Sequence, residues 1–299
     1  MADALPTFTP PKKVLLATDL SARSDRALDR ATQLARQWDA GLVVVHALED
    51  QALATRSPYY EDLPSWRRPP DPAIAVEQQI RRDLREPVSD LRIVVAQGEA
   101  APMILQVAEQ ERCDLIVVGA ARDQGLGRVN LGQTVEYLIR RAPTSVLVAK
   151  TRPSGAYRHI LVGTDFTEEA RYGLSVATKL FPDAIFAVMH AFDMPYRSLT
   201  GATQLSRDFS AMEQEEIKTF VRDTDMPENV RASIVTLIEH GPPEMMIHKY
   251  VVEQNADLTV IGTIGRNMLF HLLIGGHAPK IVHGVSSDVL VIRYPASQS

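Results

Sequence analysis

One stretch of this chain occurs twice. Val14-Leu-Leu-Ala-Thr-Asp-Leu20 returns as Ile160-Leu-Val-Gly-Thr-Asp-Phe166, 146 residues later. Cys113-Asp-Leu-Ile-Val-Val-Gly119 returns as Ala256-Asp-Leu-Thr-Val-Ile-Gly262, and Val146-Leu-Val148 as Val289-Leu-Val291, both 143 residues later. A solenoid unit spans roughly 20–50 residues, so this period is a whole duplicated domain. Any site must therefore be argued once per copy, and differences between copies become informative.

The 299 residues suit two domains, each large enough to bury a core. The boundary falls near Lys150–Tyr157, where Thr151-Arg-Pro-Ser-Gly155 reads as a turn-rich linker. The expected domains are 1–151 and 156–299. Hydrophobic residues at 45% and charged residues at 23% place the chain among soluble globular proteins. A net charge of −5 argues against nucleic-acid or anionic-membrane partners, which need a basic surface. The doublets Arg67-Arg68, Arg81-Arg82 and Arg140-Arg141 are short and read as solvated faces. Cys113 is the single cysteine, so no intramolecular disulfide forms and a reducing compartment is expected. Its counterpart is Ala256, which makes it a small apolar filler. Met1 to Pro11 has no apolar signal core, and no run approaches the ~18 apolar residues of a membrane span. A cytoplasmic location is expected.

Each copy alternates short apolar runs with amphipathic stretches. In the first, strands are expected at Lys13–Thr18, Leu42–His46, Leu91–Ala96, Asp114–Gly119 and Thr144–Ala149. Ser21 can cap a helix running to about Trp38, with Ala27, Leu28, Ala31, Leu34 and Ala35 on one face. Further helices are expected near Ala73–Arg85, Pro102–Glu111 and Gly132–Arg140. The second copy repeats the order. Its strands are near His159–Thr164, Ala184–His190, Ala232–Ile238, Asp257–Gly262 and Asp288–Arg293. Its helices are near Glu168–Leu180, Leu205–Arg222, Pro243–Glu253 and Gly276–Val282. Continuous Val/Ile/Leu strands between helices call for parallel sheets covered on both faces. Two stretches break the rhythm: Leu48–Asp71, with Tyr59, Tyr60 and Trp66, and Asp193–Gln204. Each reads either as a lid or as a tether.

Ligands of such sheets bind beyond the carboxyl ends of strands, where strand order reverses. That directs attention to the loops after strands one and four. Thr18-Asp19 and Thr164-Asp165 leave strand one. Two readings of the aspartate stand: a cap for the next helix, or an acceptor for a ligand's hydroxyl groups. Strand four ends at Gly119 and Gly262. The second copy continues Gly262-Thr-Ile-Gly265, then nine residues, then Gly275-Gly276 and a helix. Bare backbone followed by a helix N-terminus is a credible cradle for polyphosphate. The histidines His240, His248, His271, His277 and His283 show no compact zinc spacing, and no metal site is expected. His277 follows the cradle and is placed to donate to a phosphate.

Taken together, these features resemble a tandem universal stress protein. The resemblance is carried by Thr18-Asp19 and Thr164-Asp165, His46 and His190 at the end of strand two, and Gly98 and Gly241 after strand three. Val117-Val-Gly119 and Val260-Ile-Gly262 complete it, and it extends from about Lys12 to Tyr294. It implies an α/β fold of the adenine nucleotide alpha hydrolase-like kind. That means two doubly wound five-stranded parallel sheets of order 3-2-1-4-5, paired through their fifth strands as an intramolecular pseudo-dimer. A homodimer of chains is a further state the resemblance allows. It implies a stress-response role, an unidentified protein partner, and ATP as candidate ligand with Mg²⁺ accompanying it.

Some members of that family bind ATP through Gly-x-x-Gly, nine residues, then Gly-[Ser/Thr]. The first copy has Gly119, but Arg122 at the second glycine and Gly132-Gln133 at the last pair. The second keeps Gly262, Gly265 and Gly275, with Gly276 replacing the hydroxyl residue. Losing one donor to a charged phosphate costs about 1.5–3 kcal/mol, roughly ten- to a hundred-fold in affinity. Arg122 either blocks the cradle or pairs with phosphate itself. The second copy therefore ranks first, through Thr164, Asp165, Gly262, Gly265, Gly275, Gly276 and His277. The first copy (Thr18, Asp19, Gly119, Arg122, Gly132) ranks as degenerate. A nucleotide-free interaction module is the alternative. No P-loop, pyrophosphatase loop, nucleophile elbow or nucleophile–base pair occurs, so no evolved active site is expected.

Overall fold

Ten apolar runs, each long enough for one strand, line up side by side. The structure is a computed structural model that describes residues 8–22, 24–48, 64–67, 71–122, 129–192, 203–263 and 277–295. In the first half the chain runs β1 (Lys13–Ala17), α1 (Ser24–Gln37), β2 (Gly41–Leu48), α2 (Pro72–Asp83), β3 (Leu91–Gln97), α3 (Ala100–Gln110) and β4 (Leu115–Gly119). It continues through β5 (Ala121–Arg122), β6 (Val129–Asn130), α4 (Gly132–Arg141) and β7 (Ser145–Ala149). The second half runs β8 (His159–Gly163), α5 (Glu168–Leu180), β9 (Ile185–Phe192), α6 (Thr203–Asp223), α7 (Glu228–Arg231) and β10 (Val235–His240). Then follow α8 (Pro243–Gln254), β11 (Leu258–Thr263), α9 (His277–Gly284) and β12 (Asp288–Arg293).

The strand order is β10-β9-β8-β11-β12-β7-β4-β1-β2-β3, one continuous ten-stranded sheet. Each half is parallel and has the expected 3-2-1-4-5 order. The halves meet through antiparallel β7 and β12, with Val148↔Val289, Leu147↔Leu290 and Val146↔Val291 in register. All six side chains are buried. Burying each contributes about 1.5–3 kcal/mol, so apolar burial is the main force across the join.

Helices cover both faces. One core cluster collects side chains from α1, α2, α5 and α6, the other from α3, α4, α8 and α9, and each cluster draws on both halves. Alternation along the strands divides them: Leu147 and Leu290 face one layer, while Val146, Val148, Val289 and Val291 face the other.

Polar groups fix the register of the join. Lys150 and Arg293 follow β7 and end β12, at matched positions of the repeat, and both are buried. Lys150 Nζ donates to the carbonyls of Val282 and Val285 (2.8 Å to the latter). Arg293 Nη2 donates to the carbonyl of Ile139 at 2.6 Å, the counterpart of Val282. Burial lowers the Arg293 guanidinium to about 10, which leaves it charged at neutral pH. The backbone N–H of Lys150 meets Asp288 Oδ1 at 2.8 Å, and that of Arg293 meets Ser145 Oγ at 3.1 Å. Asp288 is fully buried and gathers more: Thr151 N and Oγ1 (both 2.9 Å), Tyr157 Oη (2.6 Å) and Arg30 Nε (3.3 Å).

Several local expectations need correction. The first helix begins at Ser24, not after Ser21, because Ser21 and Ser24 both bond to Asp19 instead. β9 and β10 end two residues later than the apolar pattern suggested, since Phe192 and His240 continue the ladder. The β5–β6 hairpin and α7 were not foreseen. Within Leu48–Asp71, Ser65–Arg67 forms one 3₁₀ turn with Trp66 82% exposed. Tyr59, Tyr60 and nearly all of Asp193–Gln204 lie outside the described residues. Cys113 is buried, and burial above all pushes its thiol up to about 12, as suits a filler rather than a nucleophile.

Removing the acceptor at the centre of the join leaves Arg30 without its anionic neighbour and the Lys150 and Thr151 N–H groups without their acceptor. Asp288→Ala is expected to lower unfolding free energy by about 3–5 kcal/mol. Ser145→Ala at the matched position is expected to lower it by about 1 kcal/mol. Urea denaturation of both variants checks this, and equal effects would contradict the assignment.

Candidate functional site

Strand order reverses between β1 and β4, and again between β8 and β11. Register puts Ala17 beside Val118 and Gly163 beside Ile261. The loops Thr18-Asp19 and Thr164-Asp165 therefore stand next to the strand ends at Gly119 and Gly262.

The strand-one loop is built identically in both halves. The N–H of Thr18 donates to Val45 O at 3.0 Å, and that of Thr164 to Met189 O at 2.9 Å. The threonine hydroxyl accepts the N–H two residues on, from Leu20 at 3.0 Å and Phe166 at 2.9 Å. Leu20 (φ +59°) and Phe166 (φ +64°) take the left-handed conformation that turns the chain into the helix. His46 Nδ1 donates to Thr18 O and His190 Nδ1 to Thr164 O, each at 2.9 Å. A carbonyl only accepts, so each ring carries its proton on Nδ1.

The aspartates brace these loops. Asp19 Oδ1 accepts from Ser21 N (2.9 Å), Ser21 Oγ (2.6 Å) and Ser24 Oγ (2.5 Å). Burial raises its carboxyl, but the bonds from Ser21 and Ser24 outweigh burial and hold it below 3.8. Asp165 Oδ1 accepts from Thr167 N (3.2 Å) and Thr167 Oγ1 (2.5 Å). Thr167 in turn caps α5 by accepting from Ala170 N at 3.3 Å. Asp165 is therefore not itself the helix cap: Thr167 is, and Asp165 holds Thr167, as Asp19 holds Ser21 and Ser24.

Beyond the braces the halves differ. In the second, Phe166 stacks on His190 with centroids 4.3 Å apart, and Phe192 meets His240 at 4.5 Å. Phe220 of α6 closes on Phe166 at 5.7 Å. Glu213 of α6 faces the same histidines; burial raises its carboxyl and His190 and His240 partly offset this. The matched positions in the first half are Leu20, His46, Leu48 and Gln97. There, the space under Thr18, Leu20 and Ile80 is about 10 Å³, room for about one water.

Gly262 has a packing role. A Cβ at Gly262 would stand 2.2 Å from the carbonyl oxygen of Glu169 and 3.0 Å from Ala170 Cα. One at Gly173 would come within 3.3 Å of Gly262 Cα. The first turns of α5 therefore lie directly on the end of β11. Its glycine is required by that helix, whatever else approaches it. Gly173, a glycine inside a helix, is the sequence signal of this contact: such a residue costs about 1 kcal/mol relative to alanine unless something must come close.

In the first half, β5 pairs antiparallel with β6 just after Gly119, with Ala121↔Asn130 and Arg122↔Val129. Backbone groups in this ribbon bond each other, in the segment where a phosphate cradle would present free N–H groups. Gly132 opens α4 with φ +70° and open space around it. The side chain of Arg122 lies outside the described atoms. So do Gly265, Gly275, Gly276, His271 and the side chain of His277, which begins α9. Among the described residues no group of three or more His, Cys, Asp or Glu could hold a metal ion. Among them too, no helix is long and apolar enough to cross a membrane.

The Universal stress protein family matches residues 10–150 and again 156–293. Universal stress protein Rv2005c of Mycobacterium tuberculosis is 26% identical over 298 residues, covering 94% of this chain and 96% of its own. Universal stress protein A homolog 1 of Coxiella burnetii is 29% identical over 145 residues, 46% of this chain and 94% of its own. Among solved structures, the functionally unknown protein PA1789 of Pseudomonas aeruginosa superposes with a TM-score of 0.68 at 22% identity. It covers 95% of this chain and 93% of that one. A universal stress protein of Archaeoglobus fulgidus gives 0.68 at 16% identity, covering 96% and 100%. These two likenesses concern the fold.

Gly262→Ala forces α5 off β11 and is expected to lose about 3 kcal/mol of stability. Gly132→Ala, strained only by its positive φ, is expected to lose about 1–2 kcal/mol; thermal unfolding ranks the two. The depressed Asp19 carboxyl stabilises the fold above its ordinary value of 3.8, and that contribution is lost as pH falls through its lower folded value. The melting-temperature gap between wild type and Asp19→Ala is therefore expected to be present at pH 6 and to narrow as pH falls below 3.8.

Proposed function

The chain belongs to the universal stress protein family, and on that premise we propose that it is a stress-response regulator that binds an adenine nucleotide, chiefly in its second half. The reading rests on one observation above others. The sheet brings the Thr164-Asp165 loop beside the end of β11, in register at Gly163↔Ile261, at a point where strand order reverses. Ligands of doubly wound sheets bind at such points. The β5–β6 ribbon disfavours the first half by pairing its backbone where free donors are needed.

In this reading Asp165 accepts from nucleotide hydroxyl groups through the carboxylate edge not used by Thr167. The segment after Gly262, with Gly265, Gly275 and Gly276, offers N–H groups to the phosphates, and His277 adds a donor at the start of α9. Mg²⁺ would travel with the phosphates. In this reading the protein is a binder rather than a catalyst. A cytoplasmic setting suits its single cysteine.

Occupancy has a mechanical route to the join. α9 begins at His277 beside the proposed phosphate position, and the carbonyls of Val282 and Val285 near its far end hold Lys150. A ligand that pulls on the start of this eight-residue helix therefore bears on the contact between halves.

Calorimetric titration of the full chain with Mg-ATP tests the proposal. Saturable binding is expected. Asp165→Asn retains the acceptor for Thr167 but removes the charge, and is expected to weaken binding about ten-fold. Asp19→Asn is expected to change it less than two-fold. No heat at millimolar ATP, with no nucleotide released on denaturing the purified protein, favours the nucleotide-free interaction module instead.

A further inference from the structure

Duplication makes the same cleft twice, one on each side of the join, and the two have diverged. One has a volume of about 370 Å³ and is lined by Arg30, Arg152, Asn255, Asp257, Ser286 and Ser287. Its inner end is filled by the Arg30 guanidinium, which lies 3.9 Å over the Tyr157 ring and reaches Asp288 at 3.3 Å. At the matched positions of the other cleft stand Val176 for Arg30, Pro11 for Tyr157 and Ser145 for Asp288. With no cation–ring plug, that cleft extends inward to the apolar core. Its volume is about 250 Å³, and Phe8, Trp38, Tyr172, Val176, Leu290 and Ser145 are among the residues that line it.

We propose that this aromatic-walled cleft is a binding site for a compact, uncharged aromatic molecule that carries one hydrogen-bond acceptor. Size comes first. An apolar cavity of about 150 Å³ suffices for benzene, so this cleft accommodates a single ring with a substituent. Its walls are held in place without a ligand. Trp38 Nε1 donates to Leu180 O at 3.4 Å and its ring meets Phe181 at 5.8 Å. The Tyr172 ring meets Tyr294 edge-on at 5.3 Å. Such rings favour a planar aromatic partner. Ser145 Oγ accepts the Arg293 N–H and, among the described residues, donates its own proton to no acceptor. That proton is the polar feature offered to a ligand. Thr144 is not available, because its hydroxyl donates to Asp114 O. Asp114 at the rim, held by Lys12 and Lys13 N–H at 2.7 and 3.0 Å, disfavours an anion. None of the lining residues belongs to the Asp165–Gly262 crevice, so the site is independent of the nucleotide proposal.

The probes are acetophenone, which has a carbonyl acceptor, and cumene, which has the same shape without it. The chain has two tryptophans, Trp38 in the cleft and Trp66, 82% exposed. The full chain carrying Trp66→Phe therefore reports on Trp38 alone. Acetophenone is expected to quench its emission saturably in the millimolar range or tighter. Val176→Phe, which fills the cleft, is expected to weaken this at least ten-fold, with folding checked by circular dichroism. Ser145→Ala is expected to weaken acetophenone about ten-fold and cumene, measured by calorimetry, less than two-fold. Linear quenching without saturation overturns the proposal, as does binding unaffected by a folded Val176→Phe variant. If that variant does not fold, Ser145→Ala decides: equal effects on both probes, or none on acetophenone, overturn it.

Discussion

Everything in this molecule hangs on the antiparallel contact of β7 with β12. Three apolar pairs supply its adhesion, and two buried cations supply its register. Lys150 and Arg293 each cross to the other half and bond carbonyls near the end of a helix, α9 in one case and α4 in the other. Placing a cation near a helix C-terminus is favourable, because the last carbonyls lack partners and carry partial negative charge. A slip of one residue along the join would turn the valines and leucines to the wrong faces and strand both cations. The two halves therefore behave as one ten-stranded sheet.

Around that shared frame the copies have drifted. Asp288 collects Arg30, Tyr157 and Thr151, whereas Ser145 meets a backbone N–H and an aromatic cleft. One half stacks Phe166, His190, Phe192 and His240 above its sheet, and the other keeps only the histidine, His46, with Leu20, Leu48 and Gln97 at the remaining positions. The first half closes its β4 loop with a ribbon of paired backbone. A duplicated scaffold thus retains its axis and differentiates its openings.

Much of this was legible in the residues. The repeat, the strand order and the pairing of fifth strands followed from short apolar runs at fixed offsets and the family they resemble. Burial on both faces leaves such runs no other use. Local geometry was harder to read. Ser21 looks like a helix cap, but Asp19 takes both nearby serines and moves the helix start to Ser24. Gly262 looks like bare backbone for a phosphate, and its nearest atoms belong to Glu169. The reason is that a glycine records a close approach without naming the visitor; only Gly173, across the contact, could have suggested a helix. The roles of Lys150 and Arg293 were also within reach, since two basic residues at matched positions after buried strands need buried acceptors.

Amide hydrogen exchange on the intact chain, with and without Mg-ATP, tests the central claim most directly. The account predicts slower exchange at Thr164–Thr167, at the end of β11 and along α9, with the matched segments of the first half unchanged. Protection confined to β4, the β5–β6 ribbon and α4, or no protection in either half, would contradict it.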